Sequence, residues 1–118
     1  MSGAPEMKFL LTVYARAEVA VPPPDADRDF VAAARESGEL IDCQVLADPS
    51  TSLLVRVRDG GTSVADGPYA GPPVHLAACY LVDCEDRDRA VGLAAMIPAA
   101  RYDAVEVWPV MLAAGLEM

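Results

Sequence analysis

The chain carries a single histidine, His75, at the head of the apolar run VHLAACYLV. A neutral imidazole at the mouth of a cleft can act as general acid or base because its pKa lies near working pH. The plainer alternative is a strand-end side chain with a local hydrogen bond. Upstream, Asp66 stands in Asp66-Gly67-Pro68-Tyr69. It could orient that imidazole, or take a proton itself if burial raised its pKa. Asp before Gly-Pro is equally good turn chemistry. Glu106, on an alternating run beside Trp108, is a third proton-transfer candidate if it points inward; an outward salt bridge is the commoner fate of such a carboxylate.

Around these stand groups that could bind rather than react. Tyr14, Tyr69, Tyr80 and Trp108 could wall a pocket for a flat ligand, although aromatics in small domains more often serve core or interface. Arg56 and Arg58 fall on one face of an alternating segment and could hold a carboxylate or enolate oxygen. A solvated strand face is the alternative. Cys43, Cys79 and Cys84 are odd in number and lack CxxC or Cys/His ligand spacing, which argues against a disulfide framework and a structural zinc. No metal or cofactor is expected.

The elements that must position these groups follow from pattern. Residues 1–6 lack apolar periodicity and read as a loose tail, as do 113–118. Lys8–Tyr14 (KFLLTVY) reads as a largely buried strand and Val21–Pro24 (VPPP) as a stiff connection. Asp25–Ser37 opens on capping Asp residues, carries Phe30, Val31 and Ala34 on one face and stops at Gly38, a helix. Leu40–Leu46 and Ser52–Arg58 flank Ala47-Asp48-Pro49-Ser50 and predict an antiparallel hairpin. Residues 59–73, rich in glycine and proline, predict a long irregular loop able to carry binding groups. His75–Asp83 reads as a strand, Ala90, Leu93, Ala94 and Ile97 mark a helix ended by Pro98, and Ala104–Val110 closes the order as a last strand. The resulting βαββ-loop-βαβ order predicts an α+β domain over residues 7–112, an antiparallel sheet with two helices on one face. Its other face then needs cover, and a second copy would supply it as a homodimer.

Composition excludes several roles. The 118-residue chain has room for one core, and its 53% hydrophobic content favours folding. A formal charge of −9 with scattered basic residues disfavours nucleic acid. The longest apolar stretch is roughly half the ~20 residues of a membrane helix, so no membrane partner is expected and the chain reads as cytoplasmic.

Val57-Arg58-Asp59-Gly60 followed by Val64-Ala65-Asp66-Gly67-Pro68-Tyr69-Ala70 resembles the signature of the YCII-related, or DGPF-type, family. The resemblance extends in order through the MKFLLTVY opening, Gly38-Glu39-Leu40, YLVD, IPAA and VEVWPV. It implies a ferredoxin-like fold that dimerises into an α/β barrel with a cleft between sheet and loop. It also implies kinship with small acid/base enzymes and with proteins found beside extracytoplasmic-function sigma factors. The chain departs from the family's charged loop at Gly71-Pro72-Pro73-Val74, and Trp108 replaces the arginine of the family's VEVRPV ending. An aromatic wall in place of a cation suggests an apolar or aromatic ligand. The His/Asp dyad of the enzyme-like branch is absent, since residues 25–37 contain no histidine and Ile97 precedes Pro98.

The expectation is thus a cofactor-free isomerase, cyclase or lyase of secondary metabolism that binds an apolar small molecule, with His75, Asp66 or Glu106 moving a proton. The alternative is a non-catalytic ligand sensor or regulatory partner of an extracytoplasmic-function sigma factor.

Overall fold

Alternation in the first strand already separates two sheet faces: in β1 (Met7–Arg16), Phe9, Leu11 and Val13 are buried on one side and Leu10, Thr12 and Tyr14 point to the other. The computed structural model describes residues 7–16, 27–69, 71 and 73–111. The expected tails, the VPPP connection and the Asp25 helix start lie outside the described residues. β1 is a central strand, pairing antiparallel with β5 (Val74–Cys84) and β6 (Val105–Pro109), while β2 (Leu40–Val45) pairs with the far edge of β5. The four-stranded order β2-β5-β1-β6 is the ferredoxin-like arrangement.

Helices α1 (Arg28–Glu36) and α2 (Arg87–Ala95) supply Phe30, Ala34, Ala90, Leu93 and Ala94 to one core with Phe9, Leu11, Tyr80, Val82 and Ile97. Each large side chain fully removed from water there contributes about 1.5–3 kcal/mol. Gly38 ends α1 with φ +80°, a left-handed conformation that disfavours side-chain-bearing residues. Asp27 does not cap α1 with its carboxylate. It accepts instead from the Tyr80 hydroxyl, whose ring meets Phe30 edge-on at 4.9 Å. Asp86 caps α2 through Arg89 N–H at 2.8 Å. After Pro98 a short helix, α3 (Ala99–Tyr102), leads into β6.

Two expectations about the middle of the chain are overturned. Leu40–Leu46 and Ser52–Arg58 do not pair with each other, because a 3₁₀ turn at Pro49–Thr51 diverts the chain out of the main sheet. The segment expected as irregular loop contains a strand: β3 (Leu53–Arg58) and β4 (Gly61–Asp66) form a separate two-stranded sheet. The turn between them is Asp59-Gly60, with φ +52° and +75°. Positive φ at both central residues matches the twist of a two-residue hairpin. Among the described helices none is long and apolar enough to cross a membrane.

Candidate functional site

The connection from β2 to β3 bends over the end of the main sheet, and a cleft of about 540 Å³ opens beneath it. Leu46, Pro49, Val74 and Leu76 make its apolar walls, and Pro68 closes it from the Asp66-Gly67-Pro68 segment. Gly67 is required there for close approach: its N–H donates to Ser52 O at 2.9 Å, and a Cβ would lie 2.6 Å from Ser52 Oγ. The Gly67–Pro68 peptide is cis.

Of the anticipated residues, Tyr14 and His75 reach the cleft. Asp48, which the sequence marks only as a turn residue, shares that wall. Its Oδ1 accepts from Ser50 N–H at 2.9 Å. The Ser50 backbone amide, then its hydroxyl, hold the Asp48 carboxyl below the usual carboxylate range. A carboxylate held in its ionised form and the chain's one imidazole therefore both line a cavity whose other walls are largely apolar.

Tyr14 also belongs to a second cluster on the sheet face away from the helices. Glu106 Oε1 accepts from three neutral donors: Trp108 Nε1–H at 2.8 Å, the Tyr14 hydroxyl at 2.9 Å and the Thr12 hydroxyl at 3.0 Å. The register explains the convergence, because Thr12 lies directly opposite Glu106 and Trp108 opposite Leu10, so these side chains share one face. The bonds from Trp108, Tyr14 and Thr12 lower the Glu106 pKa below the ordinary glutamate range. Conversely, the Glu106 carboxylate raises the Tyr14 pKa.

The remaining anticipated residues are elsewhere. Asp66 ends β4 opposite Leu53, exposed and outside the cleft wall. Tyr69 is exposed and lies under the Arg56 guanidinium at 5.7 Å, a cation–π contact. Arg58 is exposed and donates to Val57 O at 3.0 Å. Tyr80, only 1% exposed, packs on the helix side of the sheet, opposite to Tyr14. Among the described residues no group of three His, Cys, Asp or Glu could hold a metal ion.

Asp48 and Thr12 are the site residues that sequence reasoning missed. Thr12 had a signal, as the one aliphatic hydroxyl inside the KFLLTVY strand, two residues before Tyr14. Asp48 had none beyond turn chemistry, since the cleft wall it shares with His75 joins two elements distant in sequence.

The sheet order and the helices on one face define an α+β protein of ferredoxin-like architecture. The model of the YCII-related domain matches residues 7–113, and the chain belongs to that family. Comparison with curated proteins finds no match.

Proposed function

We propose that the protein binds a small, largely apolar or aromatic molecule in the cleft beside Tyr14 and His75 and moves a proton on it without a cofactor, as an isomerase, cyclase or lyase. One observation carries this reading: the only histidine and an ionised Asp48 stand together on the wall of a cavity otherwise lined largely by apolar groups. A volume of about 540 Å³ suits a ligand of drug or metabolite size. An imidazole beside a carboxylate, with substrate held in place, is sufficient machinery for proton transfer. Glu106 enters through Tyr14, whose hydroxyl it orients toward the sheet face.

The molecule works as a cytoplasmic homodimer in this reading. Leu10, Leu81 and Trp108 share the uncovered sheet face, and a second copy stacked there would enclose the cleft. A sensor role, with a partner such as an extracytoplasmic-function sigma factor, is favoured by a different feature. The β3–β4 hairpin exposes Leu53, Val55, Val57 and Val64 on one face, more apolar surface than a lone hairpin keeps in water without a partner.

A thermal-shift screen of aromatic and polyketide-like metabolites tests the binding step, since a ligand that binds the folded state raises the melting temperature. Turnover of the stabilising compound should disappear in His75→Asn with the fold retained. Full activity in that variant would remove His75 from the mechanism, stabilisation without turnover would favour the sensor, and no stabilising compound would defeat the reading.

A further inference from the structure

We infer that the cleft ligand carries a protonated amine, seated on Glu106 Oε2 between Tyr14 and Trp108. The inference rests on the cleft reading above, because Tyr14 borders both places. Three neutral donors hold Glu106 Oε1 in position and cancel none of its charge. No described Lys or Arg forms a salt bridge with this carboxylate, while Glu39 and Asp103 each have an arginine. Oε2 accepts no hydrogen bond from the described residues and is left as a fixed negative site flanked by two aromatic side chains. An exposed carboxylate held only by neutral donors is the chemistry that accepts an organic ammonium, through a charge-assisted hydrogen bond.

The cleft points the same way. Among the described residues its walls include Asp48 and no lysine or arginine, so an anionic ligand would meet repulsion there. The whole chain, at a formal −9, attracts cations and repels anions. A second copy over this face would remove water from Glu106, and a desolvated carboxylate with only neutral donors favours a cationic occupant still more strongly. Trp108 is half-exposed in the single chain, so in the dimer the ligand would lie between the two stacked sheets against the indole. The ligand is thus an amine with an apolar or aromatic body, the nitrogen at Glu106 and the body running past Tyr14 into the cleft.

Matched probes separate this inference from the cleft reading: 2-phenylethylamine, its neutral analogue 2-phenylethanol, and 3-phenylpropanoate. Binding is read by the fluorescence of Trp108, the only tryptophan, and independently by calorimetry. The amine should bind about tenfold more tightly than the alcohol, the size of one added charge contact, and the carboxylate should bind worst. Glu106→Gln should erase the preference by weakening the amine to the level of the alcohol, leaving the alcohol unchanged. Equal binding of amine and alcohol, or a preference that survives Glu106→Gln, would overturn the amine assignment while leaving the cleft in place. Failure of all three probes would count against both.

Discussion

The Tyr14 hydroxyl donates to Glu106 Oε1 at 2.9 Å across 92 residues of sequence, so one side chain walls the cleft and also clamps the carboxylate beside it. Because Glu106 favours the neutral phenol, Tyr14 ionises above the ordinary tyrosine value of about 10. A raised folded-state pKa means stability present below the unfolded value and lost as pH rises through the folded one. In ultraviolet titration, the tyrosinate signal missing from Tyr14→Phe should move to lower pH in Glu106→Gln. An unmoved signal would show that the hydrogen bond does not control Tyr14.

The acid limb of stability should report Glu39. Arg89 holds this nearly buried carboxylate with Nε at 2.9 Å and Nη2 at 2.7 Å, and Ser37 adds a bond at 2.7 Å. The Arg89 bonds lower the Glu39 pKa. The corresponding stability is present above the ordinary glutamate value of about 4.3 and is lost as pH falls through the folded one. Glu39→Gln should cost about 1–2 kcal/mol in urea unfolding near neutral pH, shrinking as the pH falls through the lowered Glu39 value.

Gly67→Ala should destabilise by about 1–3 kcal/mol through overpacking against Ser52. The new Cβ would stand 2.6 Å from Ser52 Oγ but 3.4 Å from Ser52 Cβ. Removing the hydroxyl should therefore relieve the clash, and the double variant with Ser52→Ala should recover most of the loss. Absence of coupling in that thermodynamic cycle would mean that the Gly67 contact does not limit the loop.

Dimerisation through the uncovered sheet face predicts sedimentation at about twice the 12.4 kDa chain mass. Leu10 lies directly opposite Leu81 on that face. Leu10→Glu should yield folded monomer, since the helix-side core is untouched; a wild-type monomer, or a dimer indifferent to Leu10→Glu, would refute stacking there.

Strands and helices were legible where local pattern alone decides them. KFLLTVY, LAACYLV and AVEVWPV became strands within one or two residues of the expected ends, and Gly38 closed α1 as its type requires. The middle of the chain was misread because Leu40–Leu46 and Ser52–Arg58 are adjacent in sequence and both strand-like, which suggests that they pair. The Asp59-Gly60 signal for the true hairpin was present in the residues. It was outweighed by the surrounding glycines and prolines, which mimic a loop.

The sequence by itself determined the α+β class, the family likeness, the acidic surface and the candidates His75, Tyr14, Glu106 and Trp108. Those properties live in residue type and in spacings of a few positions, where alternation and turn chemistry act directly. Only the tertiary structure decided which candidates meet. It set Asp48 and His75 on the wall of one cleft, gathered Thr12, Tyr14 and Trp108 on one oxygen of Glu106, sent Tyr80 to the helix side and left Asp66 outside the cleft wall. The physical reason is register. Pairing β6 against β1 places Glu106 opposite Thr12, and a shift by one residue would turn the same side chains to the other face.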